Sequence, residues 1–92
     1  MSLNLATVAK EFSLSEADLT RESIRAFLAE QLRLLDADRR VRCAKYGVGT
    51  LEEMDALIRR GEVEEDDILE DFQEVDYLCD RIERVRTMLE ES

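Results

Sequence analysis

Apolar residues recur every three or four positions along most of this chain, and the most regular run lies near its end. Ile68, Phe72, Val75, Cys79, Ile82 and Leu89 follow one another at alternating intervals of 4 and 3 residues, once Arg86 is counted in the single gap. That is the a/d rhythm that keeps one face of a helix against a partner helix. It predicts a long helix over about 64–90. Glu64, Glu65, Asp66 and Asp67 crowd its first turns, and Arg81, Arg84 and Arg86 stand towards its far end. The helix dipole favours both placements.

The rest of the chain is also written in helical spacing. Leu5, Val8, Ala9 and Phe12 predict a short helix over about 3–12, too short to stand alone. Ser13-Leu14-Ser15-Glu16 breaks that pattern, and either Ser13 with Glu16 or Ser15 with Asp18 can form a capping box opening the next helix. From about 16 to 46 nothing stops a helix, and the apolar stripe is Ile24, Phe27, Leu28, Leu32, Leu34, Leu35 and Val41. Gln31, Asp38 and Arg42 fall inside the same arc at 100° per residue. Polar residues in such a position are either exposed near an open end or paired with carboxylates of a neighbouring helix, and the favoured reading is a layer of ion pairs at one end of the bundle, setting register more than stability. Tyr46-Gly47-Val48-Gly49-Thr50 then ends the helix, and Thr50 with Glu53 makes a further capping box. A short helix follows over about 51–60, with Leu51, Met54, Leu57 and Ile58 inward and Gly61 closing it.

These elements predict an all-α fold and one domain over 1–92, an antiparallel pair of long helices with two short ones. With 92 residues, 45% hydrophobic and 39% charged, the chain has three glycines and no proline, which suits long helices. A chain of this size buries a modest core. Two long helices carry more apolar stripe than one short N-terminal helix covers, so the expected assembly is a homodimer that completes a four-helix core.

Charge and composition narrow the functional classes. The chain has no histidine, and so lacks the usual general base, the usual partner of a nucleophilic cysteine and the commonest transition-metal ligand. Cys43 and Cys79 are too few for a zinc site and read as buried thiols. The helical register expected from these spacings puts Cys43 level with about residue 67, too far from Cys79 for a disulfide. Gly47-Val48-Gly49 is a turn without the preceding strand of a nucleotide fingerprint. The expectation is therefore a non-enzymatic protein with no cofactor and no metal. A net charge of −10 argues against nucleic acid as a partner of the surface as a whole and favours a basic protein partner. The Arg39, Arg40, Arg42 and Lys45 patch is expected to pair internally with carboxylates. No segment has the length of a membrane span and the N-terminus lacks the layout of a signal peptide, so a cytoplasmic location is expected.

The acidic charge is concentrated. Glu62 to Asp76 holds nine carboxylates, and no Lys or Arg occurs between Arg60 and Arg81. At i, i+3 and i+4 spacings such acids could hold a divalent cation or act as acid and base, but they mostly avoid the apolar seam, and a solvated acidic face is the favoured reading. Glu65, Asp67, Glu70, Asp71, Glu74 and Tyr77 are the candidate partner-binding residues. Phe72 is on the seam and is assigned to the core, whereas Tyr77 projects away from it and is the better candidate for a partner contact.

Two resemblances add to this. The run from Leu5 to Leu28, with Phe12-Ser13-Leu14-Ser15 as its turn and Arg21-Glu22-Ser23-Ile24-Arg25-Ala26-Phe27-Leu28 in its second helix, looks like the two helices of a ribbon-helix-helix regulator. That family reads DNA with an N-terminal β-strand, for which Met1 to Asn4 offer no counterpart. A degenerate regulator of this kind, with Arg21, Arg25 and the Arg39 to Lys45 patch on phosphates, stands as the alternative reading, beside a purely structural helical dimer. The second resemblance covers most of the chain. Lys45-Tyr46-Gly47, Thr50-Leu51-Glu52-Glu53-Met54, Gly61-Glu62 and Glu70-Asp71-Phe72-Gln73-Glu74-Val75-Asp76-Tyr77-Leu78 are similar to segments of small helical antitoxin-like proteins of archaea and bacteria. That resemblance implies a stoichiometric inhibitor whose helices wrap a basic, ribonuclease-like partner.

Overall fold

Helix-forming sequence between well-marked caps yields four helices in the computed structural model, which describes residues 3–92. They are α1 (Leu5–Glu11), α2 (Glu16–Ala44), α3 (Leu51–Arg59) and α4 (Glu65–Glu91), with no strand among the described residues. The starts are capped as serine, threonine and asparagine side chains allow. Asn4 Oδ1 accepts from Thr7 N at 2.9 Å, Ser15 Oγ from Asp18 N at 2.9 Å and Thr50 Oγ1 from Glu53 N at 3.1 Å. Of the two boxes the α1 to α2 turn could have used, the Ser15 cap is the one formed, and Ser13 takes a left-handed φ of 57° in the turn. Gly47 and Gly61, with φ of 70° and 71°, make the left-handed turns that end α2 and α3.

The two turns and α3 reverse the chain, so α2 and α4 run antiparallel and pack along their lengths. At the closed end of this hairpin Lys45 of α2's C-cap meets Asp71, and at the open end Arg25 donates to the Ser92 carbonyl at 3.0 Å. The core sits at the closed end. Cys43, Met54, Ile68 and Val75 are fully buried there, with Tyr46, Val48, Leu51, Ile58, Val63, Phe72 and Cys79 packed around them. Leu78, Ile82 and Val85 carry the seam on towards the open end. Each such side chain contributes on the order of 1.5–3 kcal/mol when fully withdrawn from water.

The structure revises the seam of α4. Its buried positions are Ile68, Asp71, Val75, Leu78, Ile82 and Val85. Ile68, Val75 and Ile82 are common to the expected and observed rows; Phe72, Cys79 and Leu89 lie half-buried at the edge, and Arg86 is exposed. The stripe on α2 divides in the same way. Leu28, Leu32 and Leu35 are partly covered on the side that bears Arg39, Arg42 and Cys43, whereas Ile24, Phe27, Leu34 and Val41 are exposed. The register also differs from expectation, because Arg42 and Lys45 both reach Asp71, four residues beyond Asp67, and Cys43 joins the buried cluster that holds Val75. Both thiols are free. Among the described residues no helix is long and apolar enough to cross a membrane.

Candidate functional site

The α4 helix turns its carboxylates to different sides. At 100° per residue Glu70 and Tyr77 share the strip opposite the seam, Glu74 lies half-buried between that strip and the seam, Asp67 follows Glu74's flank, and Glu65 lies on the other flank. Asp71 leaves this group altogether. It was expected on the outward acidic face, but only 7% of it is exposed, and it faces α2. Three side-chain donors compensate the burial. Arg42 Nη1 donates to Asp71 Oδ1 at 2.9 Å, while Lys45 Nζ at 2.9 Å and Tyr46 Oη at 2.7 Å both donate to Oδ2. Tyr46 also lies 3.4 Å from the Asp67 carbonyl.

This cluster accounts for Arg42 in the α2 stripe. Arg42 bridges Asp38 of its own helix and Asp71 of α4, so the predicted layer of ion pairs is present at the closed end. Gln31 is half-buried and Asp38 exposed. The Lys45 ammonium, the Tyr46 hydroxyl and the Arg42 guanidinium hold the Asp71 carboxyl below its ordinary value, against the opposing effect of burial. Asp71 in turn raises the pKa of Tyr46, since the hydroxyl must stay protonated to donate. Tyr46 does more than mark the end of α2, and the sequence signal for it is its spacing from Arg42 and Lys45 on one face.

The basic patch is engaged as expected. Arg39 and Arg40 pair with Asp36 at 3.0 and 2.8 Å, and Arg39 Nη1 also donates to the Gly49 carbonyl at 2.7 Å. Arg21 pairs with Asp18, and Arg25 with the Ser92 carbonyl and hydroxyl. Burial pushes the Cys43 and Cys79 thiols up, with Arg39 partly opposing it, so neither is poised as a thiolate nucleophile.

The outer face of α4 is different. Apart from the inward Asp71, the carboxylates of α4 that form ion pairs among the described residues are Asp80 and Glu83. Glu64, Glu65, Asp66, Asp67, Glu70, Glu74 and Asp76 carry none, and Glu64 starts the helix without a side-chain cap. No three of the chain's carboxylates or thiols converge as a metal site among the described residues. Tyr77 stands at the C-terminal edge of this acidic tract, 49% exposed. Arg81 Nη1 donates to its hydroxyl at 3.0 Å, and that guanidinium lies 5.8 Å from the ring centroid, within the range of a cation–π contact.

A family model described as "Uncharacterized protein MJ0235 family" matches residues 1–92. No curated protein and no solved structure matches the chain.

Proposed function

The chain belongs to that family, and for this member we propose a non-enzymatic role, as an antitoxin-like interaction module that binds a basic protein through the outer face of α4. The observation that carries this reading is the unequal pairing of charge between the long helices. Four of the six carboxylates of α2 are matched by arginines of the same helix, Asp18 by Arg21, Glu30 by Arg33, Asp36 by Arg39 and Arg40, and Asp38 by Arg42. Those from Glu64 to Asp76, apart from Asp71, are left for a cation from elsewhere. Unmatched charge on one face raises the rate of encounter with an oppositely charged partner and sets its orientation.

Glu70, Glu74 and Tyr77 form the centre of this surface, with Glu65 and Asp67 on its flanks. Tyr77 supplies the aromatic anchor, and its contact with Arg81 supports a role in receiving a guanidinium. Asp71 belongs to the scaffold beneath. The similarity to small helical antitoxins adds the partner's chemistry, a small basic ribonuclease-like protein, and the two free thiols suit the cytoplasm.

The test is co-expression with the product of the adjacent gene, followed by calorimetric titration. A complex is expected whose affinity falls at least about tenfold when salt shortens the screening length to about 3 Å. Replacing Glu70 and Glu74 together by glutamine should weaken it by a similar factor without loss of helicity. Failure to form a complex, or an affinity indifferent to salt and to these substitutions, overturns the reading.

A further inference from the structure

The packing of α2 against α4 uses one of two apolar rows on α2. The other row is open, with Ile24, Phe27, Leu34 and Val41 exposed to 50%, 62%, 47% and 63%. Positions 24, 27, 31, 34, 38 and 41 keep an unbroken 3–4 rhythm, with Gln31 and Asp38 as its polar members. It runs for about 26 Å, roughly a third of a turn around the helix from the row facing α4. We infer that this row is the interface with a second copy of the chain, the two α2 helices meeting antiparallel across a two-fold axis near Gln31 and Leu34.

Surface area supports a partner of this size. A folded chain of 10.7 kDa exposes about 5,500 Å² by the usual scaling with mass, and this one exposes 6755 Å². The excess of about 1,200 Å² is what one subunit withdraws from water in a permanent dimer. Its shape agrees, since the molecule measures 60 × 28 × 16 Å, little more than one layer of helices.

Charge selects the occupant. The α2 helix carries six carboxylates and six arginines, whereas α4 carries eleven carboxylates and three arginines. Two copies can therefore bring their α2 helices together without net repulsion while the acidic strip of each α4 stays outside the contact. A strongly basic partner has nothing to attract it to the neutral row. Orientation follows from the same residues. An antiparallel pairing sets Ile24 opposite Val41 and Gln31 opposite Leu34, whereas a parallel pairing places Glu30 and Asp38 beside their own copies.

Sedimentation of the full chain tests this. The wild type should sediment at twice the chain mass, and the double variant Phe27→Glu/Leu34→Glu at the chain mass, with unchanged far-UV helicity because both side chains are exposed. Met88→Glu, on the outer side of α4, should leave the dimer intact. Oxidation of the double variant Ile24→Cys/Val41→Cys should give a covalent dimer, and Ile24→Cys alone should not. A wild type that is monomeric at about tens of micromolar, a Phe27→Glu/Leu34→Glu protein that stays dimeric, or dissociation by Met88→Glu overturns the interface. Self-coupling of Ile24→Cys overturns its antiparallel sense.

Discussion

At the scale of single residues, Asp71 shows how a charge enters a helical seam. Its carboxylate is tolerable there because Arg42, Lys45 and Tyr46 all aim at it, and Lys45 keeps much of its own side chain in water. Replacing Asp71 with Asn keeps one acceptor and loses the charge, with Arg42 still able to rest on Asp38. The expected cost is about 1–2 kcal/mol of unfolding free energy in a urea titration. The pH dependence has a definite sign. A carboxyl depressed in the folded state gives its full stabilisation above its ordinary value of 3.8 and loses it as pH falls through the lower folded value. Tyr46 works in reverse, its share being full below its ordinary value of 10.0 and fading as pH rises through the raised one. The Asp71→Asn variant should therefore lose less stability than the wild type on acidification below about pH 4.

At the scale of elements, helices are set by their ends as much as by their faces. Gly61 ends α3 at φ 71°, and Thr50 starts it with a side-chain cap. Gly61→Ala should cost about 1–2 kcal/mol, from the left-handed backbone alone, because nothing lies within reach of the added methyl. Thr50→Ala should cost about 1 kcal/mol. Thermal unfolding of each variant checks both. These ends were legible in the sequence because capping is local, and the four observed helices fall within a few residues of the spans expected from it. The faces were half legible. The row through Ile68, Val75 and Ile82 can be completed by Phe72 and Cys79 or by Asp71 and Leu78, and hydrophobicity alone chooses Phe72 over Asp71. What makes Asp71 the inward residue is three donors on another part of the chain, a tertiary fact with no local trace. The same holds for α2, where one broad stripe serves two different rows. On the outer face of α4, Glu70 and Tyr77 were legible from spacing, but the pairing of Tyr77 with Arg81 depends on rotamers.

At the scale of the whole molecule, a hairpin of two long helices has its parts joined over very different lengths of chain. The contact of Lys45 with Asp71 closes a loop of 26 residues through α3, whereas that of Arg25 with Ser92 joins positions 67 residues apart. Longer loops cost more entropy to close, though only slowly with length, and the fully buried side chains stand at the short-loop end. The buried carboxylate is thus placed where the two long helices first come within reach of each other. The hairpin should form in time as a zipper does, from the Asp71 layer outwards, and open in the opposite order. Amide hydrogen exchange in the wild type should show protection along α4 falling from Val75 towards Leu89, and a flat profile would contradict this. The ion-pair layer that looks like a static fastening would then be the point from which the molecule's motions are timed.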